Sequence, residues 1–178
     1  MCSSDLHFCR TSRNGPLHPP YRRNRGEWGN TVLGTYRTRT GKHEVKDPTF
    51  AGEILGPGVA IVPKEGRVVS PVDGKVGVMF ETKHAVSISG PDGVEMIVHV
   101  GIDTVQLKGK YFTSHKNTGD PVKAGDLLLT FDMDAIKEAG YDVTVPVVIC
   151  EKGNYTEIEC FHGKETEAGE VIIRLREK

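Results

Sequence analysis

From Val45 onward the chain is written in short apolar and β-branched runs separated by glycine turns. Residues 58–62, 66–69 and 75–80 read as strands. Turns fall at Asp73-Gly74, Asp92-Gly93, Lys108-Gly109, Gly125-Asp126, Lys152-Gly153 and Ala168-Gly169. Many short strands at this spacing predict an all-β, antiparallel sandwich or barrel. One stretch has a different pattern. Residues 132–140 read as a short helix, with Asp132 as its N-cap and Gly140 as its stop. There is also a weak internal repeat: the pattern from Gly119 through Gly125 to Leu129 returns from Gly163 through Gly169 to Ile173. Each copy is a turn, a glycine corner and an apolar run, as expected of two pseudo-duplicated halves closing on one core.

Residues 81–105 organise the rest. Two period-two runs flank Gly90-Pro91-Asp92-Gly93, where Pro fixes φ and Gly takes positive φ. A loop with an even number of residues puts His84 directly opposite His99 on one face, with their Cβ atoms roughly 4.5–5.5 Å apart. A three-residue loop slips the register and sends the two to opposite faces. The even loop is the expectation here. Strands favour Val, Ile and Thr, so facing imidazoles are an unusual use of these positions. Two neutral rings can share a phosphoryl group or a metal ion, one as nucleophile or ligand and the other as hydrogen-bond donor or second ligand. The plain alternative is two half-exposed histidines packed as cross-strand neighbours.

Charge and composition narrow the picture. The 178 residues suit one domain with enough chain for a core, and the formal net charge is −1. That figure hides a split. Residues 1–46 hold nine Lys/Arg against three Asp/Glu, and the remainder fourteen against twenty-one. Neither nucleic acid nor an anionic membrane is implied as partner. No apolar run approaches the roughly 18 residues of a membrane span, so a cytoplasmic chain is expected. Cys2, Cys9, Cys150 and Cys160 lack Cys-x-x-Cys spacing, which argues against a disulfide framework or a zinc knuckle. Residues 1–45 are rich in Arg, Gly, Pro and Asn and lack strand or helix periodicity. They read as a disordered linker or as a segment foreign to the domain at 46–178. Met1-Cys2-Ser3-Ser4-Asp5-Leu6 resembles a translated sequencing adapter.

The run Phe80-Glu81-Thr82-Lys83-His84-Ala85, followed by Ile97-Val98-His99-Val100-Gly101-Ile102-Asp103-Thr104-Val105, resembles the glucose-family enzyme IIA (EIIA) domain of the bacterial phosphotransferase system. Pro71-Val72-Asp73-Gly74, Leu107-Lys108-Gly109, the 119–128 turn and the 144–149 run extend the likeness over about residues 46–178. Gly109-Lys110-Tyr111-Phe112-Thr113-Ser114-His115 resembles the β-glucoside and sucrose type, in which this domain usually ends a larger permease. The resemblance implies a phosphohistidine relay. His99 matches the histidine that carries the phosphoryl group, His84 the one that contacts its oxygens, and Thr82 a threonine that orients the pair. Asp103 matches an acid that meets the basic phosphocarrier. Phe50, Ile54, Leu55, Phe80, Ile97 and Val105 match an apolar docking ring. The implied partners are the histidine-phosphorylated carrier protein (HPr) and the IIB and IIC sugar-permease domains, and contact with the membrane comes only through the permease. No cofactor is implied.

The chemistry is consistent with that. Imidazole is mostly neutral at pH 7, and a loose metaphosphate-like transition state asks mainly for positioning and charge dispersal. No Gly-x-x-x-x-Gly-Lys-Ser/Thr loop is present, which favours relay from another protein over use of ATP. Two other function classes compete. A zinc hydrolase would use His84 and His99 but lacks a third ligand at sensible spacing. A non-catalytic regulatory module would bind through the same apolar face. Among secondary candidates, Asp132 and Asp134 read as helix-capping rather than metal-binding. His115 and His162 read as turn residues, Asp103 could serve only as a loop cap, and Phe80 and Ile97 could be core.

Overall fold

A computed structural model describes residues 27–29, 36–38, 56–161, 163, 165–166 and 170–176. Among these residues fourteen strands run in the order β1 (Glu27–Gly29), β2 (Tyr36–Thr38), β3 (Gly58–Val62), β4 (Arg67–Val69), β5 (Gly74–Met79), β6 (Ala85–Ser89), β7 (Val94–His99), β8 (Phe112–Ser114), β9 (Pro121–Val122), β10 (Leu127–Phe131), β11 (Val145–Lys152), β12 (Glu157–Cys160), β13 (Glu165–Thr166) and β14 (Val171–Arg176). They form one eight-stranded sheet, β13-β2-β3-β11-β7-β6-β5-β9, and two three-stranded sheets, β4-β10-β8 and β1-β14-β12. The pairings are antiparallel. Among the described residues the fold is the expected all-β sandwich with one short helix.

The sequence repeat is visible strand for strand. β9 and β13 occupy equivalent places in the two copies, as do β10 and β14. β9 and β13 also close opposite edges of the large sheet, and β10 and β14 are the middle strands of the two small ones. Reading inward from those edges gives β5-β6-β7 on one side and β2-β3-β11 on the other. One half is therefore β4 to β10, and it is inserted between β3 and β11 of the other. The halves meet at the β7–β11 pair, Val98 opposite Val147 and Ile97 opposite Val148.

Two short strands fall within residues 1–45, where the sequence shows no strand period: β1 pairs with β14, and β2 pairs with β3 and β13. Strands of three residues are too short to show an alternation of period two. The rest of residues 1–45 lie outside the described residues, as do Cys2, Cys9 and His162.

Alternation puts one face of each strand inside. Val94, Met96 and Val98 of β7 are buried, whereas Glu95, Ile97 and His99 face outward and are half-buried. Val86 and Ile88 of β6, Leu128 and Leu129 of β10, and Ile172 and Ile173 of β14 complete the same core. A second, small cluster of Ala60, Ile102 and Val148 lies apart from it. The helix, α1 (Met133–Glu138), starts at Asp132, whose side chain accepts from Ala135 N at 3.0 Å, and Gly140 follows it at φ 89°. Asp132 caps, as the pattern predicted.

Candidate phosphoryl-transfer site

The β6–β7 hairpin differs from the expected one. Pro91–Gly93 form a three-residue 3-10 turn, with Asp92 at φ 60° and Gly93 at φ 80°, closed by Gly90 N donating to Val94 O at 2.8 Å. The even loop is therefore wrong. Ala85, not His84, stands opposite His99. The imidazoles meet all the same, with ring centroids 4.7 Å apart and planes at 82°. His84 lies one residue outside β6, in a tight connection from β5, so strand alternation does not set its direction. Lys83 in that connection has φ 53°, its N–H donates to Phe80 O, and Phe80 N donates to Ala85 O. Ala85 carries only a methyl group, which leaves His99 open to a ring arriving from the turn.

The two rings differ in environment. His84 is 5% exposed, and burial, reinforced by the positive charge available to His99, lowers its pKa from 6.5 to about 4. It is neutral at pH 7. Its Nδ1 is hydrogen-bonded to Thr82 Oγ1 at 2.5 Å, and Phe80 packs edge-on against it with centroids 5.7 Å apart. His99 is half-buried, and its Nδ1 lies 2.8 Å from Gly101 O. A carbonyl only accepts, so this bond fixes the proton on Nδ1 and the lone pair on Nε2. Gly101 can present that carbonyl because it adopts φ 78°. A Cβ there would stand 2.4 Å from Thr104 Cγ2 and 2.6 Å from Asp142 O.

Chemically, this is one nucleophilic ring nitrogen beside a neutral ring that can donate. Among the described residues no group of three or more His, Cys, Asp or Glu converges to hold a metal ion. A catalytic zinc site needs three protein ligands, and the two rings offer two.

The chain matches the family model of the phosphoenolpyruvate-dependent sugar phosphotransferase system, EIIA 1, over residues 39–155. It is 42% identical over 127 residues to the glucose-specific EIIA component of Oceanobacillus iheyensis, which covers 71% of this chain and 77% of that protein. The chain belongs to this EIIA family. It is also 46% identical over 132 residues to a β-glucoside-specific EIIBCA component of Dickeya chrysanthemi, covering 74% of this chain. It spans about a fifth of the length of the β-glucoside relatives it matches. Among solved structures, glucose permease IIA from Mycoplasma capricolum superposes with a TM-score of 0.75 at 33% identity, covering 83% of this chain and 93% of that one.

Within this EIIA domain, the structure gathers Thr82, His84, Phe80 and His99, while Ile97 lies two residues before His99 on the same strand face. Asp103 is exposed at φ 58°, opening the 3-10 turn Thr104–Leu107, and its side chain makes no capping bond. The loop-cap alternative for Asp103 is thus not realised by its carboxylate. Val105, on that turn, is 45% exposed and Phe80 37%. Phe50, Ile54 and Leu55 lie outside the described residues. One residue escaped the sequence reading. Val78 is 47% exposed, and its N–H donates to Ser87 Oγ, the residue opposite Ile97. A register shift between Val76 and Met79 turns Val78 outward, although the alternation from Val76 would bury it. Among the described residues no helix is long and apolar enough to cross a membrane.

Proposed function

We propose that His99 is the phosphoryl-accepting residue of this phosphotransferase. In the proposed step, the Nε2 lone pair attacks the phosphorus of the carrier protein HPr's phosphohistidine. A new N–P bond forms, the carrier's N–P bond breaks, and the carrier imidazole keeps its electron pair. The proton stays on His99 Nδ1 throughout, donated to the Gly101 carbonyl. Thr82 donates its hydroxyl hydrogen to His84 Nδ1, which places the His84 proton on Nε2, where it can reach a phosphoryl oxygen. Phe80, Val78, Ile97 and Val105 form an apolar docking surface that excludes water from a hydrolysable phosphohistidine. Asp103 supplies a negative charge for a basic carrier. The group then passes to the cysteine of a IIB sugar-permease domain on the cytoplasmic side. Relatives that join EIIA to EIIB and EIIC in one chain support that direction.

The observation that carries this reading is the Nδ1–H to Gly101 bond on a half-exposed ring faced by a neutral one. The test is labelling from phosphoenolpyruvate through enzyme I and HPr. Wild type should acquire one acid-labile, base-stable phosphoryl group, and His99→Ala none. Equal labelling of the two proteins would overturn the assignment.

A further inference from the structure

Taking His99 as the acceptor, we infer that Asp142 is a positioning residue for it, acting through Thr144 and the 101–102 backbone. Asp142 precedes β11, and its Oδ1 accepts from Thr144 N at 2.7 Å and from Thr144 Oγ1 at 2.6 Å. This Asx turn fixes the direction of two carbonyls. Thr144 O accepts from Gly101 N at 2.9 Å, and Asp142 O accepts from Ile102 N at 3.0 Å. The N–H of the Gly101 carbonyl's own peptide and that of the peptide before it are therefore both held by the 142–144 segment. Thr144 is 2% exposed, so water cannot replace its bonds easily. From the other side, fully buried Thr104 packs its methyl where a Gly101 side chain would stand and donates its hydroxyl to Val100 O.

The Gly101 carbonyl in turn accepts the His99 Nδ1 proton. Rotating that carbonyl would release the proton to either ring nitrogen. A ring protonated on Nε2 has its lone pair on Nδ1, facing the protein rather than the partner. Asp142 thereby governs which nitrogen is nucleophilic, without touching the phosphoryl group.

The test uses the full chain as wild type, Asp142→Ala and Asp142→Asn, the last of which keeps the Oδ1 acceptor. Imidazole ¹⁵N chemical shifts report the tautomer of His99 directly. Wild type and Asp142→Asn should show the Nδ1–H form alone, and Asp142→Ala a mixture. Phosphoryl acceptance should fall about two- to tenfold in Asp142→Ala, the range expected for one lost hydrogen bond, with Asn restoring it. Should the alanine protein fail to fold, Thr144→Val removes one of the two donors to Asp142 while keeping its volume, and should give a smaller tautomer shift. A pure Nδ1–H tautomer with unchanged acceptance in the alanine protein, or in Thr144→Val if alanine does not fold, overturns the inference. Wild type that is not phosphorylated on His99 overturns the acceptor assignment instead, and the tautomer measurement still decides the role of Asp142.

Discussion

Acid should destabilise this domain through one residue, His84. In the folded protein its pKa is lowered from 6.5 to about 4, first by burial and then by His99. In the unfolded chain it titrates near its ordinary value. Between those two pH values the unfolded state binds the extra proton, so stability rises with pH across the window. The contribution is whole above pH 6.5 and is lost progressively as pH falls toward 4. A difference of that size corresponds to roughly 3 kcal/mol, a large fraction of the 5–15 kcal/mol that typically holds a domain together. The assay is urea unfolding at several pH values from 7 to 4, for wild type and His84→Gln. The fall attributable to His84 is the part of the wild-type loss that the glutamine protein lacks. An imidazole NMR titration should place the His84 midpoint near 4. With a phosphoryl dianion on His99 the electrostatic contribution reverses sign and the midpoint should rise. A midpoint near 6.5 in the unphosphorylated protein, or parallel loss of stability in the two proteins, would refute the reasoning.

Three further outcomes follow from the site. His84→Gln should still accept the phosphoryl group from HPr but pass it on more slowly, read as label retained on EIIA in a chase with a IIB domain. Gly101→Ala should cost about 2–4 kcal/mol in urea unfolding, because φ 78° and contacts of 2.4 and 2.6 Å leave a methyl no room. Val78→Asp should leave stability within about 0.5 kcal/mol, as its side chain is exposed, yet raise the KM for a partner protein severalfold in steady-state transfer. An unchanged KM would remove Val78 from the docking surface.

The parts of this fold that were legible in the sequence are those where period and turn chemistry act alone. β3, β7, the capped helix α1 and the offset between the two repeats all follow from local pattern. The hairpin loop did not, because Pro91-Asp92-Gly93 and the four-residue Gly90–Gly93 reading share the same turn residues. Only the Gly90–Val94 closure distinguishes them. The two histidines were paired in sequence for a reason that the structure replaces: the left-handed Lys83, rather than cross-strand register, lies behind their meeting. Val78 was missed because the extra residue lies within β5 itself, where Gly77 is the one local sign of a bulge and strict alternation from Val76 passes over it. Asp142 was missed for a different reason. It lies 43 positions from His99 and acts through backbone carbonyls, which no side-chain motif records.

That distance in sequence has a structural meaning. Thr82, His84 and His99 belong to the inserted half of the fold, β4 to β10, whereas Asp142 and Thr144 lead into β11 of the other half. The β6–β7 hairpin by itself can bring the two rings together, since Val100 N already donates to His84 O within it. It cannot set the His99 tautomer by itself, because the bonds holding Gly101 come from residues 142–144 across the junction between halves. A chain in which β7 and β11 have not yet paired would thus have its histidines adjacent but its nucleophilic nitrogen undefined. With His99 as the proposed acceptor, its tautomer is completed at the same contact that joins the two copies of the repeat, which would tie phosphoryl acceptance to full assembly of the sandwich rather than to any one hairpin.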